Sequence, residues 1–336
     1  MDNLKQWLSL PATDREKIFR ELAIEKGIPP EAIEKDWWVV HTLVAVFATE
    51  IGPYTVFKGG TSLSKAWGLI ERFSEDIDLA LDRSFLGFKR EMTISQVKKL
   101  RKKSFEYLSL VLFPVLQKQF DVMGLQVKME IEPVKDTDKD PLIIQVFYPS
   151  VIGGKSYILP RVLIEIGSRS LKEPFTLMSF SSYVGEVFAG RDFADLPIEI
   201  HCVNPERTFL EKIFLLHEEF QKPIEKMRVD RMSRHLYDLG KLKESQFAKT
   251  AFSDDLELYN TIVAHRKLMT PLRGIDYEKH NPEYINPLPP EKLKAAWQKD
   301  YESMQESMIF GNSLPFDQLM EELKELKDSI NLLAYR

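Results

Sequence analysis

Cysteine is nearly absent from this chain of 336 residues, in which Cys202 stands alone. A single thiol forms no intramolecular disulfide and builds no cysteine-rich zinc site. Long apolar runs are missing too. The longest, Val39 to Ala48, is broken by His41 and Thr42 and falls well short of the roughly 20 residues that a membrane-spanning helix needs. The opening residues, Met1 to Gln6, hold no basic segment leading into an apolar one, so no secretory leader is expected. These absences give the expectation of a cytoplasmic protein without a membrane partner. The six histidines show no H-x-x-x-H or similar ligand spacing, so none is assigned to a metal. Neither G-x-x-x-x-G-K-S/T nor G-x-G-x-x-G occurs, which excludes a Walker loop and the dinucleotide fingerprint. No internal repeat or low-complexity tract is visible.

With 44% apolar and 29% charged residues, the composition is that of an ordinary globular protein of one large domain or two. A net charge of −5 argues against a general polyanion-binding surface and leaves local basic patches to consider. One comprises Lys89, Arg90, Lys98, Lys99, Arg101, Lys102 and Lys103, with a solvated helix face as the bland alternative. The other comprises Arg228, Arg231 and Arg234 at helical i, i+3, i+6 spacing, with Lys241 and Lys243 beyond.

The most informative stretch runs from Phe73 to Leu81. It sets Asp76 and Asp78 two residues apart in an apolar strand pattern, so both side chains point the same way. Two acids side by side repel unless a cation or a shared proton lies between them, and a divalent metal is the natural occupant. Upstream, Val56 to Trp67 reads as strand, Gly59-Gly60 turn and helix start. Glycines let backbone N–H groups approach an anion closely, and a helix start adds positive potential, so this turn suits a phosphate. Thr61 and Ser62 are candidate phosphate donors or simple caps. Lys65, one turn on, is a candidate triphosphate ligand or a surface lysine. In the strand Val162 to Ile166, Val162, Ile164 and Ile166 share one face, which leaves Glu165 on the other as a third carboxylate or an exposed glutamate.

The remaining pattern indicates an α+β fold. Helices are expected from about Thr13 to Leu22 and from Pro29-Pro30 to Phe47, and a long amphipathic one over 92–119. Strands are expected over Tyr54–Lys58, Asp76–Leu81, Leu125–Ile131, Leu142–Tyr148 and Val162–Ile166, in a mixed sheet, with a polar loop from Pro133 to Pro141. Helices dominate after Asn204, an N-cap candidate followed by Pro205. A proline-rich irregular stretch spans Pro271 to Pro290, and a last amphipathic helix spans Phe316 to Leu333. The division expected is 1–200, a catalytic domain with N-terminal helices, and 201–336, a helical domain completing its cleft.

A phosphate-holding turn, a short helix and a strand bearing Asp-x-Asp form the layout of a nucleotidyltransferase of the DNA polymerase β type. Gly59 to Lys65 followed by Arg72 to Leu79 resembles, more closely, the AbiE-type abortive-infection toxins, a nucleotidyltransferase family that includes the mycobacterial MenT toxins. Glu34 to Trp38, Val162 to Ile166, Pro205 to Lys212 and Arg234 to Leu239 look like further signatures in family order, and the resemblance spans roughly residues 30 to 240. It implies a polymerase-β-like core, NTP as substrate and Mg²⁺ held by Asp76, Asp78 and Glu165. The turn Gly59, Gly60, Thr61, Ser62, with Lys65, would hold the triphosphate. It also implies that Lys212 binds nucleotide phosphates and that Asp238 joins the active site, with an ion pair to Arg234 as the alternative for Asp238. The basic set ending at Arg234 leads into this segment and is expected to contact phosphate. Trp37 and Trp38 are base-stacking candidates, core packing being the commoner use of such a pair.

The implied reaction transfers NMP to an acceptor hydroxyl with release of pyrophosphate. The implied acceptor is the 3′ end of tRNA, and the implied physiology is a toxin that blocks translation and is restrained by an antitoxin. A protein hydroxyl is the other acceptor. The competing class is a non-catalytic nucleotide- or antitoxin-binding module, against which the intact Asp76, Asp78 and Glu165 speak.

Overall fold

Alternating burial along short apolar segments produces strands. The computed structural model, which describes residues 2–74, 76–136, 139–153, 158–252 and 256–335, joins seven of them among these residues into one mixed sheet. Glu75 of the acidic motif and Thr137-Asp138 of the polar loop lie outside the described residues. The chain forms two units, Met1–Ala66 with Ser74–Val203, and Trp67–Phe73 with Asn204–Arg336. No shift of composition marks the excursion of Trp67–Phe73 into the second unit.

The first unit contains strands β1 (Thr55–Lys58), β2 (Asp76–Leu81), β3 (Lys128–Ile131), β4 (Leu142–Phe147), β5 (Arg161–Gly167), β6 (Phe175–Phe180) and β7 (Ile198–Val203). Their order is β3-β4-β5-β2-β1-β7-β6. β2 lies antiparallel to β1 and parallel to β5, so the strand with two aspartates sits centrally. Its Ile77 and Leu79 are buried with Val162, Ile164 and Ile166 of β5, while Asp76, Asp78, Leu163 and Glu165 occupy the half-buried face. β6 and β7 complete the edge beside β1 and were not expected from sequence. In β6 the half-buried and exposed residues Phe175 to Ser179 break the alternation that marks the other strands.

Helices of this unit are α1 (Asp2–Ser9), α2 (Ala12–Lys26), α3 (Pro30–Phe47), α4 (Gly59–Lys65), α5 (Ile94–Tyr107), α6 (Phe113–Met123) and α7 (Tyr183–Val187). Pro30 starts α3 at a position where its missing N–H costs nothing. The apolar run in α3 is core rather than membrane span: Val40, Leu43, Ala45 and Val46 are buried, and the helix packs against β5 and α6. No helix among the described residues is long and apolar enough to cross a membrane. Trp37 and Trp38 are buried at 1% and 5% exposure, Trp37 stacking on Trp7 and Trp38 on Tyr148, so the base-stacking expectation for this pair is replaced by core packing. Between α5 and α6 the helix continues through one π-turn over Leu108–Leu112, where the Phe113 N–H bonds the Leu108 carbonyl. Pro114 has no N–H to continue the usual ladder, which accounts for the interruption of the long helix read over 92–119.

Two acids of the Glu34-Lys35-Asp36 segment tie remote loops to α3. The Glu34 carboxylate accepts from the Val151 N–H at 2.7 Å and the Ser150 hydroxyl at 2.5 Å. The Asp36 carboxylate accepts from the Tyr183 N–H at 2.8 Å, at the start of α7.

The second unit is helical: α8 (Pro205–Glu219), α9 (Ser233–Lys243), α10 (Gln246–Ala251), α11 (Glu257–Met269), α12 (Lys294–Ser307) and α13 (Phe316–Leu332). Asn204 occupies the N-cap position of α8 without a side-chain cap bond, its amide donating instead to Glu206. The segment Trp67–Phe73 docks by backbone pairing. The Phe73 N–H bonds the Met308 carbonyl at 2.7 Å, and the Phe310 N–H bonds the Glu71 carbonyl at 3.0 Å. A Cβ on Gly311 would lie 2.3 Å from the Glu71 side chain, so only glycine permits this approach.

Three consecutive polar residues at the end of α8 anchor later segments of the chain. Glu219 takes Arg228 by its backbone and guanidinium, Glu218 takes Arg266 and His280, and His217 accepts the Asn286 N–H through Nδ1 at 3.1 Å. Burial, and next the charge of the neighbouring His280, push His217 down to about 4. An unfolded chain therefore binds this proton more readily between about pH 6.5 and 4. The stability that neutral His217 contributes is complete above that window and is lost as pH falls through it. Unfolding midpoints measured from pH 7 to 4 should fall more steeply for the wild type than for His217→Asn, whereas identical profiles would contradict this role.

Candidate active site

The register of three neighbouring strands assembles a charged row. Lys58 of β1 faces Asp78 of β2, and Asp78 faces Glu165 of β5. Directly paired residues point to the same side, their Cβ atoms about 4.5–5.5 Å apart. Asp76 lies two positions along β2 on that same side. Glu165 is thus on the same sheet face as both aspartates, as the strand alternation predicts.

Gly59 closes the row. Its φ is +79°, and a Cβ there would lie 1.9 Å from Asp78 Oδ2, so both backbone conformation and space demand glycine. The turn consequently lays bare backbone directly against the Asp78 carboxylate. Thr61 then fixes α4 to β2: its hydroxyl donates to the Asp76 carbonyl at 2.5 Å and lies 2.9 Å from Ser74 Oγ. Ser62 is 2% exposed and its hydroxyl makes no hydrogen bond, the buried Cys202 thiol lying beside it. Burial, only partly offset by Ser62, pushes that thiol up to about 12, which leaves it an inert core group.

The structure thus buries the Thr61 and Ser62 side chains along with Gly60, while Gly59 is half-buried beside Asp78. Lys65 is also engaged. Its ammonium lies 3.0 Å from Asp36 and 3.1 Å from Glu186 and sits over the Tyr183 ring. Burial alone would lower its pKa, but Asp36 and Glu186 outweigh that and hold it above the usual lysine value. These contacts make Lys65 a clamp between α3, α4 and α7.

Oxygen-only donors on one face suit a hard divalent cation. Among the described residues, no three His, Cys, Asp or Glu side chains are gathered into a ready cation cage. Magnesium is commonly held by one or two carboxylates together with substrate phosphates, so Asp76 and Asp78 with Glu165 alongside fit that manner of binding better than an all-protein cage.

The second unit holds a separate buried cluster. Asp238 of α9 is 0% exposed and accepts from Arg72 Nε at 2.7 Å, Arg72 Nη2 at 2.8 Å and Lys212 Nζ of α8 at 2.7 Å. The i−4 ion pair to Arg234 was the sequence-based alternative for Asp238; these three bonds come instead from 26 and 166 positions away in the chain. Burial opposes ionisation of Asp238, yet the charges of Arg72 and Lys212 together hold it well below the usual carboxylate range. Burial lowers the Lys212 pKa, and Asp238 restores only part of that against Arg72 and Arg234. His235 is pushed well below its ordinary value by burial, then by Lys212 and Arg234, and stays neutral. One carboxylate thus joins two cations, Arg72 and Lys212, at close range, with Arg234 nearby.

Arg72 is the functional candidate that sequence reasoning passed over. It stands at the head of the Arg72 to Leu79 motif, but its partner at Asp238 is invisible to any local pattern. The helical spacing read for the second basic patch is corrected: only Arg234 of the three arginines is helical. Arg231 has φ +57° ahead of α9, and Arg228 is tied to Glu219.

The sequence profile of the family described as nucleotidyl transferase AbiEii toxin, type IV toxin–antitoxin system, matches residues 42–322. Comparison with curated proteins gave no match. Seven solved chains resemble this one. Among them is MenT4, a nucleotidyltransferase toxin from Mycobacterium tuberculosis H37Rv, at 16% identity over 94% of this chain and 98% of that one, with a TM-score of 0.43. With its motif residues in place and the family profile spanning most of its length, the chain belongs to the AbiEii nucleotidyltransferase toxin family.

Proposed function

We propose that this toxin is a magnesium-dependent enzyme that moves NMP from an NTP to an acceptor hydroxyl, releasing pyrophosphate. The 3′ end of tRNA is the acceptor, so that translation stops, and the enzyme acts in the cytoplasm within a toxin–antitoxin or phage-defence system under a partner antitoxin. The observation that carries this reading is the pairing of Asp78 with Glu165 across β2 and β5, with the bare turn at Gly59 against Asp78.

When bound, magnesium supplies positive charge to the triphosphate and makes the α-phosphorus more electrophilic. Asp76 and Asp78 would hold it, with Glu165 as a further oxygen ligand. Glu165 is also placed to receive the acceptor's hydroxyl proton. Gly59 and Gly60 allow phosphate oxygens to reach backbone N–H groups, and Thr61 and Ser62 contribute through backbone while the Thr61 hydroxyl holds the turn in place. Lys65 supports the turn from behind. Lys212 would offer charge to phosphate oxygens, and Asp238, bonded to both Arg72 and Lys212, would act as a positioning residue.

A nucleic-acid acceptor is supported by the first basic patch. From Lys89 to Lys103 there are seven cations and one acid, +6 in a chain whose total is −5, so the remainder carries −11. Helix α5 buries Val97, Leu100 and Ser104 and exposes Lys98, Lys99, Lys102 and Lys103. Such a face gains affinity for a polyanion by counterion release.

Incubation of wild type and Asp78→Asn with each labelled NTP, magnesium and purified tRNA tests the reaction. The wild type should label tRNA, and the variant should be slower by about 10²-fold or more, the scale seen when an electrostatic stabiliser is lost. Equal rates would defeat the assignment, and label appearing in protein instead would move the acceptor to a side-chain hydroxyl. Lys212→Ala should also impair transfer, whereas an unchanged rate would remove the buried cluster from the reaction. Lys98→Glu combined with Lys99→Glu and Lys102→Glu should weaken RNA binding and flatten its salt dependence, with folding intact. Unaltered binding would leave α5 a solvated face.

A further inference from the structure

Lys58 has no part in the transfer as proposed, yet the sheet places it in the same cross-strand row as Asp78 and Glu165. We infer that Lys58 is a further catalytic residue of that transfer, a fixed cation that contacts a non-bridging oxygen of the α-phosphate and stabilises its charge as the transition state forms.

Position is the first support. Lys58 ends β1 directly opposite Asp78, and Gly59 follows at φ +79° with its backbone against the Asp78 carboxylate. The residue cannot slide along the strand without breaking that fit, because a one-residue shift would turn its side chain to the buried face occupied by Phe57. The ammonium is carried on a four-carbon stem, long enough to extend past the shorter aspartate beside it.

Availability is the second. Lys65 and Lys212 have their ammonium groups held by carboxylates. Among the described residues, no such ion pair holds Lys58, which is half-buried. A lysine that sits in a row with Asp78 and Glu165 yet makes no ion pair with either is poised toward another partner, and an anion bound at that face is the natural one.

The chemistry is set by charge. The acceptor oxygen forms a bond to the α-phosphorus while the bond to pyrophosphate breaks. The electron pair of that bond leaves with pyrophosphate, and the hydroxyl proton passes to Glu165 or solvent. Lys58 keeps its own proton throughout and acts only as a preorganised positive charge. This role rests on the proposed transfer reaction and goes beyond it by assigning a residue.

The test compares wild type, Lys58→Met and Lys58→Arg. Methionine keeps an unbranched stem without charge, and arginine keeps the charge. Methionine should lower kcat by about 10²-fold while the NTP KM changes only a few-fold, and arginine should recover most of the loss. Circular dichroism and the unfolding midpoint should match wild type in both variants, since the position is half-buried. Unchanged kcat in Lys58→Met would overturn the role, as would a loss confined to KM or a loss that arginine does not relieve. If the wild type itself transfers no nucleotide, the parent reading falls with this one; an active wild type with an equally active Lys58→Met overturns Lys58 alone.

Discussion

The constraint on which the site depends is the close approach of Gly59 to Asp78. With no side chain at residue 59, β1 can turn into α4 hard against the carboxylate of the neighbouring strand; any Cβ would collide with it. That contact fixes the end of β1, the end of β1 fixes the register with β2, and the register with β2 and β5 aligns Lys58, Asp78 and Glu165. Thr61 secures the arrangement from the other side by bonding the Asp76 carbonyl. The Thr61 hydroxyl therefore serves the geometry of the turn, and bare backbone at Gly59 meets the Asp78 carboxylate.

Buried charge is used differently in the two units. In the first, one cation, Lys65, sits between two carboxylates, Asp36 and Glu186, and joins helices. In the second, one carboxylate, Asp238, sits between two cations, Arg72 and Lys212, drawn from distant positions in the chain.

Much of this was legible in the sequence. The i, i+2 aspartates, the Gly-Gly turn and the alternation around Glu165 predict one carboxylate face, because strand periodicity is local information. Burial of Ile77 and Ile164 against half-burial of Asp78 and Glu165 follows the same rule. What was not legible depends on contacts between distant segments. Arg72 meets Asp238 across 166 residues, and the cation at Lys65 finds Asp36 29 residues away. The arginines at 228, 231 and 234 have helical spacing but only Arg234 lies in a helix: Arg231 has a left-handed backbone and the Arg228 N–H goes to Glu219, neither of which spacing can report. β6 escaped notice because its alternation is broken at the sheet edge.

The central claim is that the face formed by Asp76, Asp78 and Glu165 binds the nucleotide's triphosphate through a divalent ion. Calorimetric titration of a non-hydrolysable NTP into the wild type and into Asp76→Asn combined with Asp78→Asn, each with and without magnesium, addresses it without relying on turnover or on the acceptor. Magnesium should strengthen NTP binding to the wild type, and this dependence should disappear in the double variant. Equal magnesium dependence in both proteins, or binding to the wild type that ignores magnesium, would contradict it.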